Sequence, residues 1–152
     1  MSSMSDADAV AYLNQHKGGW NHAMDLVFVV ATGDEVVAEL TVGPQHLQPY
    51  GIVHGGVHCG IIEAACSTGA AMYALARGQS VVGLENSTSF VHAARGGKLT
   101  VRARPLTRGR RTQAWEATVT DETGKVLATG KVRLLCLEPD TNLVGKKAGM
   151  EP

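Results

Sequence analysis

The stretch HGGVHCGIIEAACSTGAAMYALA, residues 54–76, decides the fold of this chain. From Cys59 onward its residues are apolar or small on all sides, whereas a surface helix carries an apolar stripe and a charged face. The stretch is followed by Arg77-Gly78, and a basic residue before a glycine is typical of a helix C-terminus. We therefore predict one long central helix from His54 to Ala76, with a sheet wrapped closely around it.

Strand-like segments flank this helix on both sides. Before it, two apolar runs are separated by the turn residues Thr32-Gly33-Asp34, which predict a hairpin. After it, apolar and polar residues alternate, as in strands that are covered on one face. Turns at 108–110 and 122–124 predict consecutive antiparallel hairpins, so we expect a four-strand meander after the helix. The predicted strands are 26–31, 35–42, 81–91, 98–106, 112–120 and 126–137.

One helix against a single large antiparallel sheet of about six strands is a two-layer α+β architecture. A short amphipathic helix is predicted from Asp6 to Gln15, so residues 1–20 are interpreted as an N-terminal helical extension. Residues 21–138 form the main domain. The segment 139–152 has few large apolar residues and is expected to be a flexible tail.

Composition narrows the class of protein. The chain has 152 residues and a formal net charge of zero, which argues against a protein that binds nucleic acid through its overall charge. No uncharged apolar run is long enough to cross a bilayer, and no targeting signal is evident. The three cysteines, Cys59, Cys66 and Cys136, form no disulfide pattern, which favours a reducing cytoplasmic location.

Glu63 is the only carboxylate in the central helix. Burying an unpaired carboxylate is energetically expensive, so a glutamate in this apolar segment needs an explanation. Glu63 could lie at an exposed edge of the helix or pair with a basic residue. The alternative, which we favour, is a catalytic carboxylate at the mouth of a ligand pocket.

The glycines at the start of the helix suggest a second part of a site. Gly55 and Gly56 leave backbone N–H groups bare at the positive end of the helix dipole, where a developing oxyanion would be stabilised. His54 and Glu63 are nine residues apart, or about 13 Å along a helix. A folded-back loop or a second subunit must therefore bring the two parts together, and we expect a dimer.

At these residues the chain resembles the hotdog-fold acyl-CoA thioesterases of the PaaI-like group. The resemblance rests on the HGG sequence followed nine residues later by an acid on an Ala/Gly-rich helix, and on a glutamine six residues before the histidine. It extends through Val81–Glu85, Phe90-Val91-His92 and the turn at 108–111. The phenylacetate-pathway enzymes have an aspartate one position earlier, which here is the apolar Ile62. The chain is therefore more similar to the Glu-type subgroup, the 4-hydroxybenzoyl-CoA and 1,4-dihydroxy-2-naphthoyl-CoA thioesterases.

This resemblance implies a role for each matching residue. Glu63 attacks the thioester carbonyl or activates water, and the Gly55 N–H holds the thioester oxygen. Gln48 and His54 orient the thioester or the water, and Ser67 supports the carboxylate. The resemblance also implies a site that straddles a dimer interface, and a tetramer built as a dimer of dimers. The substrate would be an acyl-CoA, with an aromatic acyl group favoured.

Seven basic residues and no acid lie between Arg95 and Arg111. Some can simply form a solvated strand face, but arginine also matches the phosphates of coenzyme A. From the resemblance we assign His92, Arg95, Arg108 and Arg110 to coenzyme A binding. No aromatic platform accompanies these cations, so nucleic acid is not expected.

No cofactor is expected, because coenzyme A is part of the substrate. The spacing of the residues that could ligate a metal matches no standard zinc pattern, so no metal site is predicted: His46, His54, His58 and Cys59. Two other functions stay open at this point. The chain could be a hotdog enoyl-CoA hydratase or dehydratase, or a non-catalytic acyl-CoA-binding module. An acyl carrier protein could also replace coenzyme A as the thiol carrier.

Overall fold

The computed structural model describes residues 5–149. Its central element is a helix of 21 residues, Gly55–Leu75. His54 is the N-cap of this helix, and its side chain accepts a hydrogen bond from the Gly56 N–H. The helix ends at the C-cap Ala76, next to the predicted Arg77-Gly78 signal. The predicted central helix is thus confirmed to within one residue at each end.

The other helices and strands follow in chain order. Two short helices precede the sheet, α1 (Asp6–Gln15) and α2 (Gly19–Ala23), so the central helix is α3. The sequence predicted α1 but not α2. The strands are β1 (Val27–Ala31), β2 (Val36–Thr41), β3 (Ser80–Phe90), β4 (Lys98–Arg108), β5 (Thr112–Thr120) and β6 (Val126–Leu137).

These six strands form one antiparallel sheet in the order β1-β2-β4-β5-β6-β3. The expected four-strand meander is therefore wrong at one position, because β3 pairs with β6 and does not pair with β4. The connection 91–97 is no tight turn: the Val91 N–H bonds to Leu127, and the Ala94 carbonyl accepts from Val53. This segment crosses the end of the sheet, so that β4 pairs with β2. As a result, β3 becomes an edge strand.

The core lies between α3 and the inner face of the sheet. Trp115 of β5 is fully buried, and a Cβ at Gly69 of α3 would come within 2.4 Å of its ring. Trp20 of α2 lies as closely against Gly60 of the same helix. Small residues on α3 therefore allow large rings to pack directly against the helix backbone, as the sequence predicted.

The flexibility expected of the C-terminal segment 139–152 stays a prediction. The described part of this segment contains two short strands, β7 (Asn142–Leu143) and β8 (Lys146–Lys147), which pair with each other. Residues 150–152, which belong to the same prediction, lie outside the described residues, as do residues 1–4 of the N-terminal extension. The domain boundaries at 20 and 138 stay predictions.

Candidate active site

Glu63 is half-buried on α3, where the helix faces the edge strand β3. Ser67, one helical turn later, donates a hydrogen bond of 3.1 Å to Oε1 of the carboxylate. Asn86 of β3 donates one of 3.0 Å to Oε2. Both oxygens thus accept a hydrogen bond, and the two bonds together fix the orientation of the carboxylate.

The backbone of β3 lies unusually close to this carboxylate. A Cβ atom at Gly83 would be 2.6 Å from Oε1 of Glu63. Because only a glycine leaves this space open, Gly83 lets the carboxylate lie directly against the strand. Neither Gly83 nor Asn86 was predicted as a site residue.

The start of α3 presents a free backbone donor. His54 Nδ1 accepts the Gly56 N–H at 2.8 Å, and the His54 carbonyl accepts the Val57 N–H at 2.9 Å. Among residues 5–149, the Gly55 N–H has no hydrogen-bond partner. In the neutral ring an accepting Nδ1 leaves the proton on Nε2, so the exposed His54 offers a second donor beside Gly55.

Gln48 lies in the loop that leads into this helix start. A bridge between Leu47 and Val53 closes the loop, and the Gln48 N–H bonds to the Ile52 carbonyl at 2.9 Å. The Gln48 Oε1 accepts the Tyr50 N–H. The side-chain amide nitrogen of Gln48 has no partner within the described part of the chain. The structure therefore places Gln48, His54 and Gly55 together at the helix start, and their roles stay predictions.

The carboxylate and this donor group are separated within one chain. Gly55 and Glu63 are eight residues apart on the same helix, which is about 12 Å by helical rise. Both parts contact β3, however. The Phe90 ring lies over Gly55, where an added Cβ would come within 2.7 Å of it, while Glu63 lies against Gly83. The edge strand thus runs from one half of the site to the other.

The basic residues assigned to coenzyme A fall into two groups. His92 and Arg95 follow β3: His92 Nδ1 donates to the Val126 carbonyl, and Arg95 donates to the carbonyls of Tyr50 and Gly51. Arg108 ends β4 and Arg110 lies in the β4–β5 turn, near the C-terminal end of α3. The members of this second group form ion pairs, Arg108 with Asp34 and Arg110 with Glu138.

Two further groups with catalytic or ligating chemistry, Cys66 and His46, are accounted for by the fold. Burial raises the pKa of the Cys66 thiol, and the nearby charges of Glu63 and Glu116 raise it further, so Cys66 does not act as a thiolate nucleophile. Both ring nitrogens of His46 are bonded, to Gly43 and Met24. Within residues 5–149, no group of three His, Cys, Asp or Glu side chains could hold a metal ion. No helix in that part is long and apolar enough to cross a membrane.

Comparison with known proteins identifies the family. Residues 50–128 match the family model described as Thioesterase superfamily. A Mycobacterium tuberculosis protein named as an esterase is 44% identical over 76% of this chain and 84% of its own. A 1,4-dihydroxy-2-naphthoyl-CoA hydrolase of Listeria monocytogenes is 33% identical over 85% of this chain and 98% of its own. A solved structure of the mycobacterial protein superposes with a TM-score of 0.78, covering 80% of this chain and 98% of that one, at 42% identity.

The predicted hotdog fold is confirmed by these similarities, and the family and the named relatives identify the enzyme as a thioester hydrolase. The chain belongs to the Thioesterase superfamily.

Proposed function

We propose that this protein hydrolyses an acyl-CoA to the free acid and coenzyme A, with Glu63 as the catalytic carboxylate. The observation that carries the proposal is the pair of hydrogen bonds that orient both carboxylate oxygens, from Ser67 and Asn86. A surface carboxylate without a function would not need two dedicated donors and a glycine that leaves room for it.

The chemistry needs no metal, because a thioester carbonyl is already electrophilic. The Glu63 carboxylate either attacks the carbonyl carbon itself or takes a proton from a water molecule that attacks it. The carbonyl oxygen gains negative charge in both cases, and collapse of the adduct breaks the C–S bond and releases the coenzyme A thiolate, which takes up a proton. If Glu63 is the nucleophile, water then hydrolyses the acyl-glutamate anhydride. The free Gly55 N–H, at the positive end of the α3 dipole, stabilises the negative charge on the carbonyl oxygen, and His54 and Gln48 orient the thioester or the water.

A dimer brings the two halves of the site together. We infer that the free edge of β3 pairs with the β3 edge of a second copy in antiparallel register. If the two-fold axis passes at Ser87, so that this residue lies opposite its own copy, the bulge between Gly83 and Glu85 brings Gly83 opposite Phe90 of the partner subunit. Glu63 would then face the α3 start of the other copy, since Glu63 lies against Gly83 and Gly55 lies against Phe90. Two such dimers would form the expected tetramer.

An aromatic acyl group fits the surroundings of the helix start. Phe90 and Tyr50 leave 59% and 83% of their surface exposed, and aromatic rings bind other rings by stacked or edge-on contact. Two relatives, at 33% and 32% identity, are named 1,4-dihydroxy-2-naphthoyl-CoA hydrolases.

The thiol carrier is coenzyme A, with an acyl carrier protein as the alternative. The three free cysteines fit a cytoplasmic location.

The coenzyme A phosphates would lie between the two basic groups. His92 and Arg95 are close to the start of α3. In the proposed dimer, the Arg108 and Arg110 of this site belong to the subunit that supplies Glu63, and His92 and Arg95 belong to the subunit that supplies the helix start. Each arginine of the second pair forms an ion pair, but Arg110 is the better candidate because its side chain is 79% exposed and that of Arg108 only 28%. Weaker inhibition by product coenzyme A in Arg110→Gln would support this assignment.

The test is thiol release from a panel of aromatic, short-chain and long-chain acyl-CoAs and one acyl carrier protein thioester. We expect the fastest release with aromatic acyl-CoAs. Glu63→Gln keeps the shape of the side chain and should abolish turnover while coenzyme A still binds. Near-normal turnover in Glu63→Gln would contradict the proposal. Hydration of an enoyl-CoA without thiol release would instead identify a hydratase.

A further inference from the structure

Asn86 occupies a position that the fold alone does not explain. It lies in the middle of the edge strand β3 and is exposed, and asparagine is depleted in strands. Its side-chain nitrogen donates to the Glu63 Oε2 at 3.0 Å and also to the Cys59 carbonyl at 3.0 Å. Cys59 is one helical turn before Glu63, so this single amide ties the strand to both the helix backbone and the carboxylate.

A second residue of β3 fixes the direction of that amide. Thr88 Oγ1 donates to the Asn86 Oδ1 at 2.7 Å. The amide oxygen therefore faces Thr88, and its nitrogen must face the helix. Gly130 of the neighbouring strand leaves room for the hydroxyl, because a Cβ there would lie 2.7 Å from Thr88 Oγ1.

We propose that Asn86, oriented by Thr88, is the positioning residue that holds Glu63 in its reactive orientation. Ser67 holds only one carboxylate oxygen, so without Asn86 the carboxylate could rotate about its terminal bond. Small misplacements of a reacting group reduce turnover strongly because the bound geometry is no longer productive. This inference rests on the proposed thioesterase function.

The test is a double-mutant cycle on kcat and KM of the full-length protein with the best acyl-CoA substrate. Asn86→Asp keeps the shape, but it replaces the donor by a second carboxylate. We expect kcat to fall about 10- to 100-fold, while KM stays within about threefold. Thr88→Val leaves Asn86 in place and should lower kcat about three- to tenfold. In the Asn86→Asp background, Thr88→Val should lower kcat less than about twofold, because Thr88 acts on Glu63 only by orienting the Asn86 amide.

Thr129→Val is the matched control, since Thr129 is exposed on the adjacent strand β6 and lines the opposite face of the sheet. It should leave kcat unchanged. The inference is overturned if Asn86→Asp keeps wild-type kcat or if this variant raises KM and leaves kcat unchanged. It is also overturned if the losses of activation free energy in Asn86→Asp and Thr88→Val add up in the double variant. An equal loss in Thr129→Val would also overturn it. Failure of the proposed function is a different result, in which the wild-type protein releases no thiol, and it would remove this inference as well.

Discussion

The two edges of the sheet are built in opposite ways. At one edge, β1 has only five residues, and α1 covers it: the Asn14 side chain donates to the Phe28 carbonyl and accepts the Phe28 N–H, both at 2.9 Å. This amide takes the place of a neighbouring strand. At the other edge, β3 has eleven residues and is largely exposed, and Glu63 and the helix start both contact it.

An uncovered edge strand can pair with another chain, and proteins usually protect such edges. Here the edge that is far from the site is closed by a side chain, while the edge that carries the site is left open. This difference supports the proposal made above, in which the open edge is the assembly surface and assembly completes the site. Each edge can be altered separately, which makes this interpretation testable.

Among substitutions at the two edges of the sheet, the largest change in kcat is expected at Gly83, on the open edge. In Gly83→Ala the new methyl group would occupy the position next to Oε1 of Glu63, and a flexible side chain can move away without disturbing the fold. Melting temperature should hardly change, but kcat should fall by about 100-fold because the carboxylate is displaced. Steady-state thiol release and thermal unfolding measure the two effects. Gly96→Ala, where no atom lies within 4 Å, is the control. Full activity in Gly83→Ala would contradict the site described above.

A substitution at the closed edge should lower the free energy of unfolding and leave kcat unchanged. Asn14→Leu leaves the N–H and carbonyl of Phe28 without their partner, which should lower the free energy of unfolding by about 1–3 kcal/mol. Asn14→Asp retains the acceptor for the N–H and should lose less. Urea unfolding gives these values, and kcat of the folded enzyme should stay at the wild-type level. A variant of unchanged stability would show that Asn14 does not close this edge.

The smallest effect is expected from a charge placed on the open edge. Ser87 is paired with Lys131 on β6 and lies at the inferred two-fold axis. Ser87→Lys should weaken the dimer by about fivefold, since like charges meet across the axis. Sedimentation over a range of concentrations measures the dissociation constant. Val29→Lys adds the same charge to the other edge and should not change assembly; equal weakening by both variants would refute the distinction between the edges.

The sequence predicted the positions of the helices and strands better than it predicted which strands lie side by side in the sheet. The apolar, glycine-rich segment and its Arg77-Gly78 end located α3. Apolar runs, two-residue periodicity and turn residues together located all six strands. The edge position of β3 was missed, because alternation within a strand does not say which strand lies beside it. Asn86 and Gly83 were missed for the same reason: their contacts with Glu63 depend on how α3 crosses β3. An asparagine in the middle of a strand was the one local sign available.

The central claim is that Glu63 of one subunit acts with the helix start of the other, and mixed dimers test it most directly. Glu63→Gln removes one half of the site, and Gln48→Ala impairs the other half. Each variant alone should be nearly inactive. After the two are mixed, unfolded and refolded together, about half of the dimers are hybrids with one intact site, so about a quarter of wild-type activity should return. A mixture no more active than its separate components would contradict a shared site.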